Sequence, residues 1–258
     1  MVIESIPKAA GMAFAVVVSL LVIVLLVRGK FNRRMGLALL VAATLMGFLV
    51  FAPMLPNQFQ VLLLGKTKQL GVPVPLAGAI LFLFVAISFV VGRSFCGYAC
   101  PIGAVQELVY KLPGKKLVLR NKKVTQVFRL ASLAAFLVLT VVFSLGMLNY
   151  LGVHDFFYLD LTWYFLVFLA ILILGVFLYR PFCRLACPYG AILSLAAIKG
   201  IFKLRRNGNC NECGECELVC PTNEAGANDL KQECYLCHRC VEACKKGGIS
   251  YGRAGRGT

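Results

Sequence analysis

The chain has 258 residues, of which 60% are hydrophobic and only 15% are charged, and its mean hydropathy is +0.82. This composition excludes an ordinary soluble globular protein and predicts an integral membrane protein. The formal net charge of +16 is high enough to suggest a nucleic-acid partner. The basic residues are concentrated in particular connections between the predicted membrane helices, however, as expected for residues that set membrane topology, so no nucleic acid is expected.

Five apolar stretches are long enough to cross a membrane, for which a helix needs about 20 mostly apolar residues. No small-residue cleavage site follows the first stretch, so it is expected to remain as an additional N-terminal helix and not to be removed as a signal peptide. The predicted fold class is an all-α integral membrane bundle of about five transmembrane helices, followed by a small α+β domain. The five stretches are 10–27, 36–55, 76–92, 127–148 and 162–179.

Basic residues are distributed unevenly among the connections. They concentrate between spans one and two, between spans three and four and after span five, whereas only Lys66 and Lys68 lie between spans two and three. By the positive-inside rule, the N-terminus lies outside and the C-terminal domain lies in the cytoplasm, with the chain in a prokaryotic cytoplasmic membrane. The basic excess is then expected to set the topology and to contact anionic membrane lipid headgroups.

One motif occurs twice in the membrane region. Segments 93–104 and 180–191 share the pattern Arg-x-Phe-Cys-x3-Cys-Pro-x-Gly-Ala with an offset of 87 residues, and each follows an apolar stretch. The pattern indicates a parallel duplication of a two-helix unit, and such repeats commonly pack about an axis along the membrane normal. The predicted domains are an additional N-terminal helix, two membrane repeats, a cysteine-rich domain and a disordered tail, at 1–29, 30–122, 123–203, 204–252 and 253–258.

The duplicated motif is expected to bring four thiols together at the cytoplasmic headgroup level, at the ends of spans three and five. Such a set is suited to a third 4Fe-4S cluster, to a redox-active dithiol pair or to a copper or zinc site. The alternative is that the cysteines and prolines only shape two helix breaks. The four residues are Cys96, Cys100, Cys183 and Cys187.

The outer connection between spans four and five contains His154, one of only two histidines in the chain. A quinol that loses electrons must also lose protons, so His154 is a candidate proton acceptor with Asp155 as its orienting carboxylate. The alternative is an interfacial belt of aromatic residues beside two solvated acids. Glu107, on the inner side, is a further proton-carrying candidate.

The C-terminal domain contains eight cysteines in two runs. A segment from Tyr189 to Phe202 is expected to form a short helix on the cytoplasmic surface, leading into this domain. Each run has the spacing Cys-x2-Cys-x2-Cys-x3-Cys, which is the ligand pattern of a bacterial ferredoxin with two 4Fe-4S clusters. Structural zinc sites or disulfides are the alternatives, but zinc does not need the third and fourth cysteines at these spacings.

In a two-cluster ferredoxin, the fourth cysteine of each run binds the other cluster. His238 lies inside the second run and is expected to border the second cluster. The predicted ligands are Cys210, Cys213, Cys216 and Cys244 for cluster I, and Cys234, Cys237, Cys240 and Cys220 for cluster II.

The combination of paired Cys-x3-Cys-Pro motifs with these runs resembles the NapH/MauN family of membrane ferredoxin-type proteins, which are related to the polyferredoxin part of NosR. The resemblance covers roughly residues 30–250, and residues 1–28 depart from it by adding a span. It implies oxidation of quinol from the quinone pool and electron transfer to a partner oxidoreductase subunit or a soluble carrier. A second hypothesis is an assembly factor that reduces copper or a thiol in a partner metalloenzyme.

Overall fold

The computed structural model describes residues 2–51, 54–65 and 73–253. The predicted outer lysines, Lys66 and Lys68, and residues 254–258 of the predicted tail lie outside the described residues. The larger helices are α1 (Val2–Val27), α2 (Arg33–Val50), α3 (Leu55–Leu63), α4 (Val74–Val91), α5 (Pro101–Tyr110), α6 (Lys122–Val141), α9 (Trp163–Phe177) and α10 (Pro188–Ile198), with the short α7 (Met147–Tyr150) and α8 (Val153–Tyr158) before α9.

Four of the described helices, α1, α2, α4 and α6, are long and apolar enough to cross a membrane. The fifth predicted span corresponds to α9, which has 15 residues. At about 1.5 Å per residue, α9 is roughly 22 Å long, shorter than the ~30 Å hydrocarbon core of a bilayer. The chain is therefore a membrane protein with four candidate spanning helices, and the fifth crossing stays a prediction.

Side-chain caps fix where several helices begin. The Asn32 side chain accepts a hydrogen bond from the amide of Met35 at the start of α2, and Thr162 does the same for Phe165 at the start of α9. These caps satisfy amides that have no partner inside the helix. Helix α2 ends where Phe51 adopts a left-handed backbone conformation with φ of 51°.

The two copies of the duplicated motif have the same backbone structure. Each begins with a π-helical turn, at Phe95–Ala99 and Phe182–Ala186, and each continues as a helix that starts at the proline, α5 or α10. Between turn and helix, Cys100 and Cys187 have nearly identical dihedral angles, with φ of −77° and −75°. Both π-turns and both proline starts are separated by the 87 residues of the sequence repeat.

Both motifs pack against the helices of the bundle. Phe95 packs against Phe84 of α4 with ring centroids 4.5 Å apart, and Phe182 packs against Phe168 of α9 at 6.0 Å. The Tyr189 hydroxyl, within the second motif, donates to the Leu81 carbonyl. Leu81 lies ten residues before the end of α4, so the hydroxyl reaches about 15 Å into the bundle.

The four thiols are buried among the helices, and their position at the cytoplasmic headgroup level stays a prediction. Helices α5 and α10 are also largely buried, α5 against α2 and α9, and α10 against α4 and α6. The expectation of a surface helix from Tyr189 to Phe202 is wrong, because α10 is largely buried among the other helices. Helix α10 also ends earlier than expected, at Ile198. A sequence that leaves a helix with a short turn, a proline and small residues can re-enter the bundle because neighbouring helices satisfy its backbone.

The C-terminal cysteine-rich unit contains an antiparallel pair of strands, β1 (Phe202–Arg206) and β2 (Ile249–Arg253), and two short helices, α11 (Glu215–Leu218) and α12 (Arg239–Ala243). Phe202 pairs with Arg253. Strand β1 thus begins two residues before the predicted boundary at 204. Arg253, predicted to start the disordered tail, belongs to the sheet.

This unit lies at the end of the bundle where α4 finishes, called the ferredoxin end below. The Tyr251 hydroxyl donates to the Val91 carbonyl at 2.9 Å, and the Ile201 amide donates to the Phe89 carbonyl at 3.2 Å. The strand pair is thereby attached directly to the last turn of α4.

Candidate metal centres

The four cysteines of the duplicated motif line a single cavity inside the membrane bundle. All four are buried, each at most 7% exposed. Phe95 and Phe182, at equivalent positions of the two motifs, contribute to the wall, together with Ile102 and Tyr189. The structure therefore brings the two motifs together as the repeat suggests, within an enclosed and largely apolar space lined by Cys96, Cys100, Cys183 and Cys187.

Hydrogen-bond donors point at these sulfurs. The Gly190 amide donates to the Cys187 sulfur at 3.2 Å. The Gln106 side-chain amide donates to the Cys183 sulfur at 3.2 Å. Because the N-termini of α5 and α10 also face the cavity, these donors and helix ends partly offset the penalty that burial places on thiolates.

This donor set fits a polynuclear centre better than a single ion. Among the described residues, no three His, Cys, Asp or Glu side chains are grouped closely enough to hold one metal ion. Zinc requires its four sulfurs about 2.3 Å from one point, whereas each thiolate of a 4Fe-4S cluster binds a different iron. Four wall sulfurs around one cavity match the second arrangement.

Four cysteines of the C-terminal unit line a second pocket, and they come from both runs. Cys220 belongs to the first run, yet it lies with three cysteines of the second run, and its sulfur accepts the Glu224 amide at 3.2 Å. Burial raises the pKa of the Cys240 thiol to about 12 and also raises the pKa of Cys234. The set is the one that the ferredoxin spacing predicts for cluster II, Cys220, Cys234, Cys237 and Cys240.

Contacts also link members of the predicted cluster I set. The Gly248 amide donates to the Cys244 sulfur at 3.1 Å, and Gly248 lies directly against the backbone of Cys210. Arg206 places a guanidinium nitrogen 3.8 Å from the Cys216 sulfur. Cys244 of the second run is thus beside Cys210 of the first, which is the neighbour that the crossover predicts.

The two cysteine sets meet through residues 233–239, called the docking segment below. Its backbone lies against the first π-turn, because a Cβ added at Gly97 would be only 2.5 Å from the Tyr235 carbonyl oxygen. The Tyr98 hydroxyl donates to the Leu236 carbonyl at 3.0 Å. Since Cys234 and Cys237 flank these two residues, the cluster II pocket and the membrane cavity are neighbours.

Buried ion pairs hold the same interface. The Glu233 carboxylate forms salt bridges with Arg129, from Nη2 to Oε1 at 2.7 Å, and with Arg184, from Nε to Oε2 at 2.8 Å. All three side chains are nearly inaccessible. Glu107 is bonded by Arg180 at 3.0 Å and also pairs with Arg239.

This role was not predicted from the sequence, because basic residues beside apolar stretches usually indicate membrane topology. The available signal was the arginine three residues before each motif's first cysteine, Arg93 and Arg180.

The predicted proton acceptor lies elsewhere. His154 is on α8, its side chain is 48% exposed, and its ring stacks on Tyr158 at 4.3 Å. Asp155 accepts a hydrogen bond from the Thr162 hydroxyl. The hydrogen bonds and ring contacts described for the pair involve no cysteine, so the pair stays a prediction.

A larger cavity, of about 470 Å³, lies between the bundle and the C-terminal unit. Cys237 and Arg239 line both this cavity and the cluster II pocket. Glu107 contributes its buried carboxylate, and burial lowers the pKa of Lys111 at the cavity wall. The other lining residues include Arg33, Tyr98, Tyr110, Lys116 and Glu242.

Comparison with known proteins gives a consistent picture. A sequence profile described as a 4Fe-4S binding domain matches residues 73–120 and 159–207. Each matched segment contains one Cys-x3-Cys-Pro motif, and both end before Cys210. No solved structure matches the chain.

Several curated relatives align with about two thirds of the chain. An uncharacterized protein of Methanocaldococcus jannaschii is 35% identical over 185 residues, which are 67% of this chain and 78% of the relative. The putative electron transport protein YccM of Escherichia coli is 30% identical over 192 residues, 65% of this chain and 54% of YccM. The methylamine utilization ferredoxin-type protein MauN of Methylobacillus flagellatus is 29% identical over 175 residues, 65% and 59% of the two chains.

Proposed function

The chain belongs to the family of ferredoxin-type 4Fe-4S proteins that includes MauN, NapH and NosR, and from this premise we propose that it carries electrons from membrane quinol to a partner oxidoreductase. Bound 4Fe-4S clusters would supply one-electron storage at fixed positions. The protein's own contribution is to hold these clusters in contact, to admit the quinol and to take up or release its protons.

The proposed ligands of the two ferredoxin clusters are the sets that the spacing predicts. Cluster I takes Cys210, Cys213, Cys216 and Cys244, and cluster II takes Cys220, Cys234, Cys237 and Cys240. A third centre, proposed for the membrane cavity, takes Cys96, Cys100, Cys183 and Cys187.

The observation that carries the proposal is the contact between the docking segment and the first π-turn. Tyr235 follows Cys234 of the cluster II pocket, and its carbonyl lies against Gly97, next to Cys96 of the membrane cavity. The two sets of cysteines are therefore adjacent to one another across this contact. Electron carriers need such proximity, whereas two independent structural metal sites have no need of it.

Quinol oxidation is proposed to occur in the 470 Å³ cavity. A quinol headgroup there would contact Cys237, a ligand of cluster II, and could pass its two electrons on one at a time. Its two protons would leave through water at the cavity mouth.

The basic lining favours the deprotonated quinol, because lysine and arginine side chains stabilise negative charge. Glu107 is a poor base because Arg180 and Arg239 hold its pKa low despite burial. His154 with Asp155 remains the alternative proton acceptor.

The test is reduction of the anaerobically purified, full-length protein by a short-chain quinol, followed by EPR of the reduced clusters. We expect Lys111→Met, at the cavity wall, to slow reduction by quinol and to leave reduction by dithionite unchanged. His154→Gln is the matched variant, and it should behave as the parent. If only His154→Gln slows the reaction, quinol enters at the far end of the bundle. If quinol reduces no cluster that dithionite reduces, quinol is not the donor.

The second candidate function is maturation of a partner metalloenzyme by reduction of copper or a thiol. It is favoured by the four sulfurs of the membrane cavity, since soft thiolate ligands suit monovalent copper. Copper, and no iron beyond that of two clusters, in protein purified from copper-supplemented cells would support this function over the first.

A further inference from the structure

A layer of arginines lies between the membrane cavity and the cluster II pocket. Four of the five are nearly inaccessible, and the fifth, Arg239, is partly buried. Within the part of the chain that the structure describes, two carboxylates, Glu107 and Glu233, pair with the members of this layer. The five arginines carry five positive charges, of which the two carboxylates neutralise two. Three positive charges are therefore left without a paired carboxylate among the described residues. The members of the layer are Arg93, Arg129, Arg180, Arg184 and Arg239.

The repeat shows which arginine lacks a partner. Arg180 bonds Glu107 and also donates to the carbonyls of Cys96 and Gly97. Arg93 is its equivalent 87 residues earlier, but the position equivalent to Glu107 is Ser194, whose hydroxyl already accepts from Arg129.

Arg93 is 0% exposed, and its Nε and Nη1 atoms have no hydrogen-bond partner among the described residues. Its remaining polar contact is the Cys96 sulfur, 3.9 Å from Nη2. On its other side, the guanidinium lies 4.3 Å from the ring centre of Tyr235.

An unpaired buried cation is costly, so a nearby anion is required. Four protonated thiols or two disulfides are neutral and supply none. A 4Fe-4S cluster with four thiolates carries a charge of −2 when oxidised and −3 when reduced by one electron. Reduction by one electron does not require the cluster to take up a proton. Arg93 faces the cavity in which such a centre would lie.

We infer that Arg93 is the counter-cation of an anionic metal–thiolate centre bound by Cys96, Cys100, Cys183 and Cys187, and that it raises the reduction potential of that centre. The cation stabilises the reduced form more than the oxidised form, because the reduced form carries the larger negative charge. The inference rests on the proposed electron-transfer function, in which this cavity holds the third centre.

The test is an anaerobic redox titration of the full-length protein, with each centre followed by EPR. Arg93→Gln should make reduction of the third centre at least tenfold less favourable, equal to about 59 mV for one electron. Arg93→Lys should restore most of the shift. Lys203→Met is the matched control, because Lys203 is a buried cation that bonds backbone carbonyls, and it should leave the third centre's potential unchanged.

A double-mutant cycle gives a second readout, thermal stability, that is independent of electron transfer. In the parent, Arg93→Gln should lower the melting temperature of the protein. In a background with all four cavity cysteines changed to serine, the same substitution should raise it, because the anion is gone and the buried charge only destabilises.

The inference is overturned if the potential is equal in parent and Arg93→Gln, or if Arg93→Gln lowers the melting temperature in both backgrounds. Parent protein with about eight irons per chain, which is two clusters of four, also overturns it. That last result leaves quinol oxidation through the two ferredoxin clusters intact. Ferredoxin clusters that quinol does not reduce contradict the proposed function instead.

Discussion

Gly97→Ala is expected to loosen the ferredoxin unit from the membrane bundle. The added Cβ would lie 2.5 Å from the Tyr235 carbonyl oxygen, whereas ordinary contact begins at 3.4 Å. Because that oxygen belongs to the backbone, the docking segment must move by about 1 Å to relieve the overlap. Overpacking of this kind costs about 1–3 kcal/mol, which corresponds to a roughly 5- to 150-fold increase in transient opening of the contact.

Hydrogen–deuterium exchange of peptides that cover the docking segment measures this opening. Gly78→Ala is the matched control, because a Cβ at Gly78 of α4 meets nothing within 4 Å. Exchange of the docking segment should rise in Gly97→Ala and stay at the parent rate in Gly78→Ala. If both variants exchange at the parent rate, the unit does not dock through Gly97, and the adjacency of the two cysteine sets loses its main support.

Three further experiments address the interface, the clusters and the topology. Glu233→Gln removes the carboxylate shared by two buried guanidiniums and should cost about 3–5 kcal/mol, seen as a lower melting temperature in detergent; an unchanged value would mean that the ion pairs are not formed. Cys220→Ser should abolish the same EPR signal that Cys237→Ser abolishes. If Cys220→Ser instead abolishes the signal that Cys213→Ser removes, the crossover is refuted. A reporter fused to the C-terminus should be active only in the cytoplasm, and activity outside would reverse the proposed orientation.

The duplicated motif was readable from the sequence because its residues serve the same local purpose in both copies. The proline starts a helix, and a Cβ at Gly103 or Gly190 would crowd an equivalent carbonyl, of Cys96 or Cys183, and an equivalent arginine. The offset of 87 residues therefore predicted two superimposable turns, and it also suggested that they meet. The C-terminal runs were readable for a related reason, since cluster ligands must keep a fixed spacing.

The burial of the two motifs among the helices was not readable from the sequence in the same way. Positive charge near a helix end usually marks the membrane surface, so Arg93 and Arg180 suggested that the chain had already left the bilayer. The structure instead buries both, because a carboxylate, carbonyls and thiols from distant segments surround them. Long-range pairing of this kind, for example Glu233 with Arg129 and Arg184, leaves no periodic pattern in the sequence.

If the membrane cavity holds the proposed third centre, electrons that reach it would be subject to the membrane potential. Tyr189 at the cavity wall reaches the level of Leu81, about 15 Å from the ferredoxin end, so a centre in the cavity would lie at a depth of at most about half of the ~30 Å hydrocarbon thickness. Moving one charge across a whole membrane at 100 mV involves about 2.3 kcal/mol, so an electron that reached such a centre would exchange at most about 1.2 kcal/mol with the electric field. That amount would change the occupancy of the centre at most roughly sevenfold for every 100 mV. The membrane potential would therefore influence how electrons are distributed between the third centre and the two ferredoxin clusters.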